Sequence, residues 1–135
     1  MLDVTVDFET YYASDYTLRS LTMTEYLCDP RFHVIGVSIA LGGHDPQWFH
    51  GAQVAPALAR IPWGRARFIA HNAMFDGAIL EWKYGLQPAK YLCTMMGSRP
   101  YVAPYTGQMG LASVASYLQM GEKGKEVADF IKSKV

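Results

Sequence analysis

The chain has 135 residues, the size of one domain, and 50% of them are hydrophobic, which excludes a disordered chain. Lys and Arg total 12 and Asp and Glu total 12, so the formal net charge is +0. Nucleic-acid binders are typically basic, so this balance predicts that any nucleic acid is held locally or through a metal.

The sequence also carries information on localisation. It shows no signal-peptide pattern and no apolar run of membrane-spanning length, so we expect a soluble cytoplasmic protein without a membrane partner. Cys28 and Cys93 have no CxxC spacing, which predicts free thiols in a reducing compartment rather than zinc or a disulfide framework.

The first half of the chain predicts a strand, a loop and a hairpin. Residues 2–8 form an apolar strand with β-branched Val4 and Val6. Residues 10–29 are polar and tyrosine-rich, which predicts a loop with a short helical turn. Residues 32–41 give the strongest strand pattern, and the turn at Gly42 and Gly43 returns it through 46–50 as a hairpin.

The second half alternates helices with short strands. We predict a helix over 54–61, a strand over 67–71 and a helix from 72 or 73 to 84 that Gly85 ends. A strand over 90–93 and a helix over 94–98 with Thr94 as N-cap follow. A loop over 99–110 then leads to an amphipathic helix over 111–118. Phe75, Ile79 and Trp82 recur at helical spacing. This order predicts an α/β mixed sheet in which the first strand lies between the hairpin and the later, parallel strands.

Acidic residues stand at the ends of two predicted strands. Asp7 and Glu9 are two residues apart on the first strand, so both carboxylates point to the same face. Adjacent carboxylates repel each other, and a divalent cation is the usual partner that makes such a pair tolerable. Alone, the pair is a weak signal, because two acids on an exposed strand face can occur by chance.

A second acidic motif comes after the strand over 67–71. In the run Asn72-Ala73-Met74-Phe75-Asp76, Asn72 can close the strand-to-helix turn, Phe75 can pack inward and Asp76 can face the end of the sheet. The structural alternative is that Asn72 is only an N-cap and Asp76 only an acid favoured by the helix dipole.

Together these two motifs resemble the 3′–5′ proofreading exonuclease domain of phage-type family A DNA polymerases, which belongs to the DEDD exonuclease superfamily. Residues 7–10, Asp-Phe-Glu-Thr, match its first motif, D-x-E-T, and residues 72–76 match its second, N-x-x-F/Y-D. Residues 25–40 and 111–125 also resemble the phage branch. The resemblance implies a single ribonuclease H-like domain over 1–135, in a phage or prophage protein of a bacterial host.

The resemblance also implies roles for the matched residues. Asp7 would bridge two Mg²⁺ or Mn²⁺ ions, Glu9 would bind the ion that generates the attacking hydroxide, and Asp76 would hold the second ion. Thr10, Tyr11, Asn72 and Phe75 would contact the 3′-terminal nucleotide of a single DNA strand. The tyrosines of this segment can equally serve only in packing.

The family's third motif, Y-x-x-x-D or H-x-x-x-x-D, has no match here. Asp129, for example, has Lys125 four residues before it and Gly124 five residues before it, where the motif needs Tyr or His. We therefore expect a C-terminally truncated domain with an incomplete two-metal site and weak or undetectable exonuclease activity by itself. One hypothesis is an exonuclease domain completed by another chain. The alternative is a catalytically dead phage-encoded protein that inhibits a host protein or nucleic-acid complex, for instance a host defence nuclease.

The missing last helices also predict an uncovered apolar surface. We expect the helix containing Leu111, Val114 and Leu118 to pack on the sheet. We further expect the region 111–135 to be buried in a homodimer or in a complex with a protein partner.

Overall fold

The computed structural model describes residues 1–121, and within them a five-stranded mixed sheet carries the candidate site. Its strands are β1 (Leu2–Thr10), β2 (Val34–Leu41), β3 (Gln47–His50), β4 (Ala66–Ala70) and β5 (Lys90–Cys93). They lie in the order β3-β2-β1-β4-β5. β1 pairs antiparallel with β2 and parallel with β4, which confirms the predicted central position of the first strand.

β1 presents apolar side chains on one face of the sheet and polar side chains on the other. Val4, Val6 and Phe8 are buried, because this face packs against the helices that cover the sheet. Asp7 and Glu9 alternate with them and therefore face the other side, where Asp7 is exposed and Glu9 half-buried. The alternation in the sequence thus places both acids on one face.

Five helices accompany the sheet in the described part of the chain. They are α1 (Met23–Cys28), α2 (Val54–Ala59), α3 (Ala73–Ala78), α4 (Thr94–Thr106) and α5 (Leu111–Tyr117). α1 is the helical turn expected within 10–29, and Thr22 and Glu25 cap its start reciprocally. No helix within residues 1–121 has both the length and the apolar character needed to cross a lipid bilayer.

The prediction of a loop over 99–110 was wrong for its first half, because α4 continues to Thr106 through Pro100 and Pro104. Both prolines are exposed, so water can replace the helical hydrogen bonds that a proline removes. Val102 lies between them and is fully buried. Tertiary packing at Val102 therefore outweighs the local preference of the prolines, and Gly107, with φ 66°, ends the helix.

α3 continues as a π-helical turn over Ile79–Lys83, which changes the face that its last residues present. Ile79 and Leu80 are buried, whereas Trp82 is 57% exposed. Trp82 therefore does not share the buried face of Ile79 despite their helical spacing, because a π turn holds more residues than an α turn and rotates the later residues about the helix axis. Gly85, with φ 66°, lies just after this turn, as predicted.

α5 packs mainly on α4 rather than on the sheet. Of the three residues expected to pack inward, only Val114 is buried, while Leu111 and Leu118 are exposed. The prediction that all three pack on the sheet was therefore wrong. The C-terminal part of the region 111–135, residues 122–135, lies outside the described residues.

Candidate active site

Asp76 joins α3 to the middle of the sheet. β4 pairs with β1 only as far as Thr5, so β1 has no strand on that side at Phe8. Asp76 fills this position: its Oδ1 accepts a hydrogen bond of 3.1 Å from the Phe8 amide, 68 residues away in sequence. The bond holds the carboxylate beside the strand that carries Asp7 and Glu9.

The pKa of Asp76 reflects its burial and the charges of the other two acids. Its side chain is 5% exposed. Burial is the main cause that raises the pKa of Asp76 from 3.8 to about 7, and the charges of Asp7 and Glu9 act in the same direction, against the lowering effect of the Phe8 amide. Three carboxylates whose charges interact in this way form an acidic centre at the end of β1 that disfavours full ionisation.

The donor chemistry of this centre suits a hard divalent cation, since all its groups are carboxylate oxygens. Among residues 1–121, however, no group of three or more His, Cys, Asp and Glu side chains is arranged closely enough to hold a metal ion. Asp76 instead points one oxygen at the Phe8 amide. The structure thus brings the three predicted acids to one region without arranging them as a formed metal site.

Thr10 and Tyr11, predicted to contact substrate, are organised by a residue that the sequence did not single out. The hydroxyl of Tyr26 lies 2.8 Å from Thr10 Oγ1 and donates a 2.5 Å hydrogen bond to the Tyr11 carbonyl. Tyr26 is 2% exposed, and its carbonyl accepts a 2.6 Å bond from the buried Tyr16 hydroxyl. The segment after Glu9 is therefore tied to α1 rather than free.

Asn72 and Phe75, the other two predicted substrate contacts, differ in environment. Asn72 is exposed and adopts a left-handed conformation (φ 74°, ψ 61°), which asparagine tolerates. Asn72 is the N-cap residue of α3, but its side chain makes no capping hydrogen bond. Phe75 is half-buried, with its ring centroid 6.0 Å from that of Tyr26.

Cys93 and His71 position the two helices that begin at this edge of the sheet. Cys93 Sγ accepts from the amides of Ala73 (3.3 Å) and Met96 (3.5 Å), so one thiol caps both α3 and α4. Cys93, not Thr94 as predicted, is therefore the N-cap of α4. The backbone amides lower the pKa of the Cys93 thiol against the opposing effect of burial.

The His71 ring contacts α4 and the segment after it at the same edge of the sheet. Its Nε2 lies 2.7 Å from the Met109 carbonyl, which can only accept, so Nε2 carries the proton. Its Nδ1 lies 2.9 Å from Thr94 Oγ1. Nothing in the spacing of Cys93 and His71 along the sequence indicates these contacts, because both depend on how β4 and β5 pair.

Comparisons with known proteins find nucleases among the solved structures that share this fold. No family model matches the sequence, and no curated protein sequence matches it either. Solved structures do match: one is NrnC of Brucella melitensis bound to pGG, with a TM-score of 0.65 and 25% identity over 91% of this chain and 55% of that one. Another is NrnC of Brucella melitensis with bound Mg²⁺, with a TM-score of 0.65 and 25% identity over 90% of this chain and 55% of that one.

A third match, at 19% identity and a TM-score of 0.64, is the apo form of a nuclease, and it covers 91% of this chain and 54% of that one. The chain thus spans about half the length of the solved structures it matches. Together with the strand order, these matches confirm the ribonuclease H-like mixed sheet with flanking helices. The narrower resemblance to phage polymerase proofreading domains stays a prediction.

The raised pKa of Asp76 predicts a stability that falls with pH. Between pH 3.8 and about 7 the folded state keeps a proton that the unfolded state has lost. The free energy of unfolding should therefore decrease as pH rises through this window, by at most about 1.4 kcal/mol per unit. Urea unfolding at a series of pH values measures this slope.

Asp76→Asn keeps an acceptor for the Phe8 amide and removes the charge, so the variant should lose most of this slope and be more stable than the wild type at pH 8. Asp45→Asn, at an exposed turn residue, is the matched control and should keep the wild-type slope. An unchanged slope in Asp76→Asn would contradict the assigned origin of the effect.

Proposed function

We propose that this protein is a metal-dependent nuclease that hydrolyses phosphodiester bonds of nucleic acid from the 3′ end. The observation that carries the proposal is the Asp76 carboxylate, held on the Phe8 amide and electrostatically coupled to Asp7 and Glu9. The fold shared with nucleases supports the same reaction class.

We assign Asp7, Glu9 and Asp76 as catalytic and metal-binding residues. Mg²⁺ or Mn²⁺ suits three carboxylates, and the solved structure of NrnC with bound Mg²⁺ supports a divalent cofactor. When bound, the cation would offset the repulsion among the acids and stabilise negative charge that develops on the phosphate. Without a cation, burial and the two neighbouring acids raise the pKa of Asp76 to about 7, and a bound cation would favour its ionised form.

For the substrate we propose a single-stranded 3′ end, preferably DNA. We assign Thr10 and Tyr11, at the end of β1, and Asn72 and Phe75, at the start of α3, as the residues that contact this end. NrnC bound to pGG supports binding of an oligonucleotide by this fold. Because Tyr26 holds Thr10 and the Tyr11 backbone, Tyr26 is a positioning residue for this part of the site.

We expect the isolated chain to be slow. Among residues 1–121, three acids take part in the centre, and a fourth carboxylate is needed for the complete arrangement that the resemblance implies. Misplacement of reacting groups by about 1 Å can reduce a rate by ~10²-fold. The inactive, inhibitory binding protein stays the alternative, and a cleavage assay separates the two.

The test is shortening of a 5′-labelled single-stranded oligonucleotide by the purified chain, with Mn²⁺ or Mg²⁺ at pH 8. We predict slow loss of 3′ nucleotides that stops with EDTA and in Asp7→Ala. In parallel, Mn²⁺ should raise the melting temperature of the wild type and not of Asp7→Ala, because binding to the folded state stabilises it.

Asp45→Ala is the control, since it removes an exposed acid far along the sheet from the acidic end of β1. It should keep both the turnover and the metal-dependent stabilisation. Turnover that survives Asp7→Ala would show that the site is assigned to the wrong residues. Absence of both turnover and stabilisation in the wild type would favour the inactive binding protein.

We also propose an interface through the region 111–135, with a second copy or with a protein partner. Leu111, Tyr117, Leu118 and Met120 are all exposed, although each is large and apolar. The rest of the region, residues 122–135, lies outside the described residues. Burying such side chains favours association at roughly 25 cal/mol per Å² before the costs of binding.

Light scattering over a range of protein concentrations checks this interface. We expect a dimer, and Leu118→Lys should shift the equilibrium toward monomer by introducing a charge into the contact. Leu18→Lys, at an exposed leucine in the loop before α1, should leave it unchanged. A wild-type monomer at every concentration would exclude the homodimer.

A further inference from the structure

A cavity of about 560 Å³ opens along α3, the helix that carries Asp76. It begins at Asn72 and Ala73, the residues that start α3, and extends along this helix toward Trp82, with β5 and the start of α4 on its other side. Asn72, which we propose as a contact of the 3′-terminal nucleotide, is one of its lining residues. A nucleic-acid strand held at Asn72 can therefore place a base in the cavity.

We propose that this cavity binds a nucleobase carrying an exocyclic amino group, as a subsite for the nucleic acid cleaved at Asp7, Glu9 and Asp76. The inference rests on the proposed function and adds a preference among bases, which the proposed function does not specify. The volume of the cavity falls in the range of about 300–1,000 Å³ that is usual for small-ligand sites.

The walls suit a flat aromatic ring. Tyr91 and Trp82 contribute aromatic surface and are 44% and 57% exposed, and Met74 and Met96, at 74% and 55%, contribute thioethers. Bases stack on aromatic side chains irrespective of sequence, and methionine sulfur makes favourable contacts with aromatic rings. Flexible methionines around rigid aromatic rings provide a surface that adjusts to a planar ligand.

Tyr91 is fixed before any ligand arrives. A Cβ at position 77 would come within 2.8 Å of Tyr91 Cε1, so only glycine at 77 lets the ring lie directly on α3. On another side, the Phe68 ring meets it edge-on with the centroids 5.5 Å apart. The Tyr91 hydroxyl donates a 2.6 Å hydrogen bond to Glu81 Oε1. A ring immobilised in this way loses little entropy when a base stacks on it.

Glu81 selects the occupant. Its carboxylate lines the cavity and can only accept hydrogen bonds, and Tyr91 occupies one of its two oxygens. Of the described residues that line the cavity, none is Lys or Arg. A phosphate is therefore disfavoured, whereas the amino groups of guanine, adenine and cytosine can donate to Glu81. Uracil offers one donor, N3–H, flanked by two carbonyl oxygens that meet the negative charge of Glu81, so it binds there less favourably.

The test monitors the methyl signals of the chain's seven methionines by NMR, with ¹³C-methyl-labelled protein in EDTA. GMP, AMP, CMP and UMP are the probes, and the uracil of UMP presents the same hydrogen-bonding groups as the thymine of DNA. We expect the first three to shift the signals of Met74 and Met96 saturably, and UMP to bind at least tenfold more weakly. Trp82→Ala should weaken all four nucleotides, whereas Trp48→Ala, at an exposed tryptophan on β3, should change none.

Glu81→Gln is the sharper variant, because glutamine keeps an acceptor for Tyr91 and loses the charge. It should reduce the discrimination against UMP to less than threefold. Equal binding of UMP and GMP by the wild type, or shifts confined to methionines far from the cavity, would overturn the inference.

The EDTA titration is independent of hydrolysis, so the two proposals fail separately. Asp7→Ala should abolish turnover and keep the binding of GMP. Binding at Met74 and Met96 without turnover in the wild type would refute the nuclease and leave the base site standing. Turnover without any shift of these two methyl signals would refute the base site alone.

Discussion

The hydrogen bond from the Phe8 amide to Asp76 is the interaction on which the candidate site depends. β1 is the central strand, and it outruns its parallel neighbour after Thr5. A strand amide left buried without a partner costs roughly 1–3 kcal/mol, so something must take the place of the missing strand. Asp76 does this with a charged or protonated carboxyl group, which couples the end of the sheet to the start of α3. The same contact brings Asp76 within electrostatic range of Asp7 and Glu9.

This arrangement works against the stability of the fold. A carboxyl group that satisfies one amide could be replaced by an amide side chain without the cost of a buried charge. Burial and the two neighbouring acids raise its pKa to about 7, so the fold holds a group poised to gain or lose a proton near neutrality. Perturbed carboxyl groups of this kind occur preferentially at functional sites, because a cation or a substrate can restore the charge balance.

Local patterns in the sequence predicted most of the sheet and the face on which Asp7 and Glu9 lie. The alternating burial along β1 and the glycine turn after β2 are each determined by residues close together in sequence. Both could therefore be predicted directly. The contacts that organise the site act over longer distances. Tyr26 reaches Thr10 and Tyr11 from α1, and Cys93 caps α3 from β5, and neither contact has a local signature.

The errors have the same origin. Prolines at 100 and 104 predicted a loop, yet burial of Val102 keeps the helix. Trp82 follows Ile79 at α-helical spacing, yet the π turn exposes Trp82 and makes it a wall of the cavity beside α3. In both cases tertiary packing decides between local alternatives of similar energy. The cavity itself, assembled from α3, β5 and α4, could not be predicted before the pairing of these elements was known.

The central claim is that Asp7, Glu9 and Asp76 form one cation site. Anomalous diffraction from a crystal equilibrated with Mn²⁺ at pH 8, above the pKa of about 7 for Asp76, tests it most directly. The account predicts a peak about 2 Å from a carboxylate oxygen of Asp7 and of at least one of the other two acids. Ordered carboxylates without a manganese peak among them, while Mn²⁺ occupies other surface sites, would contradict it.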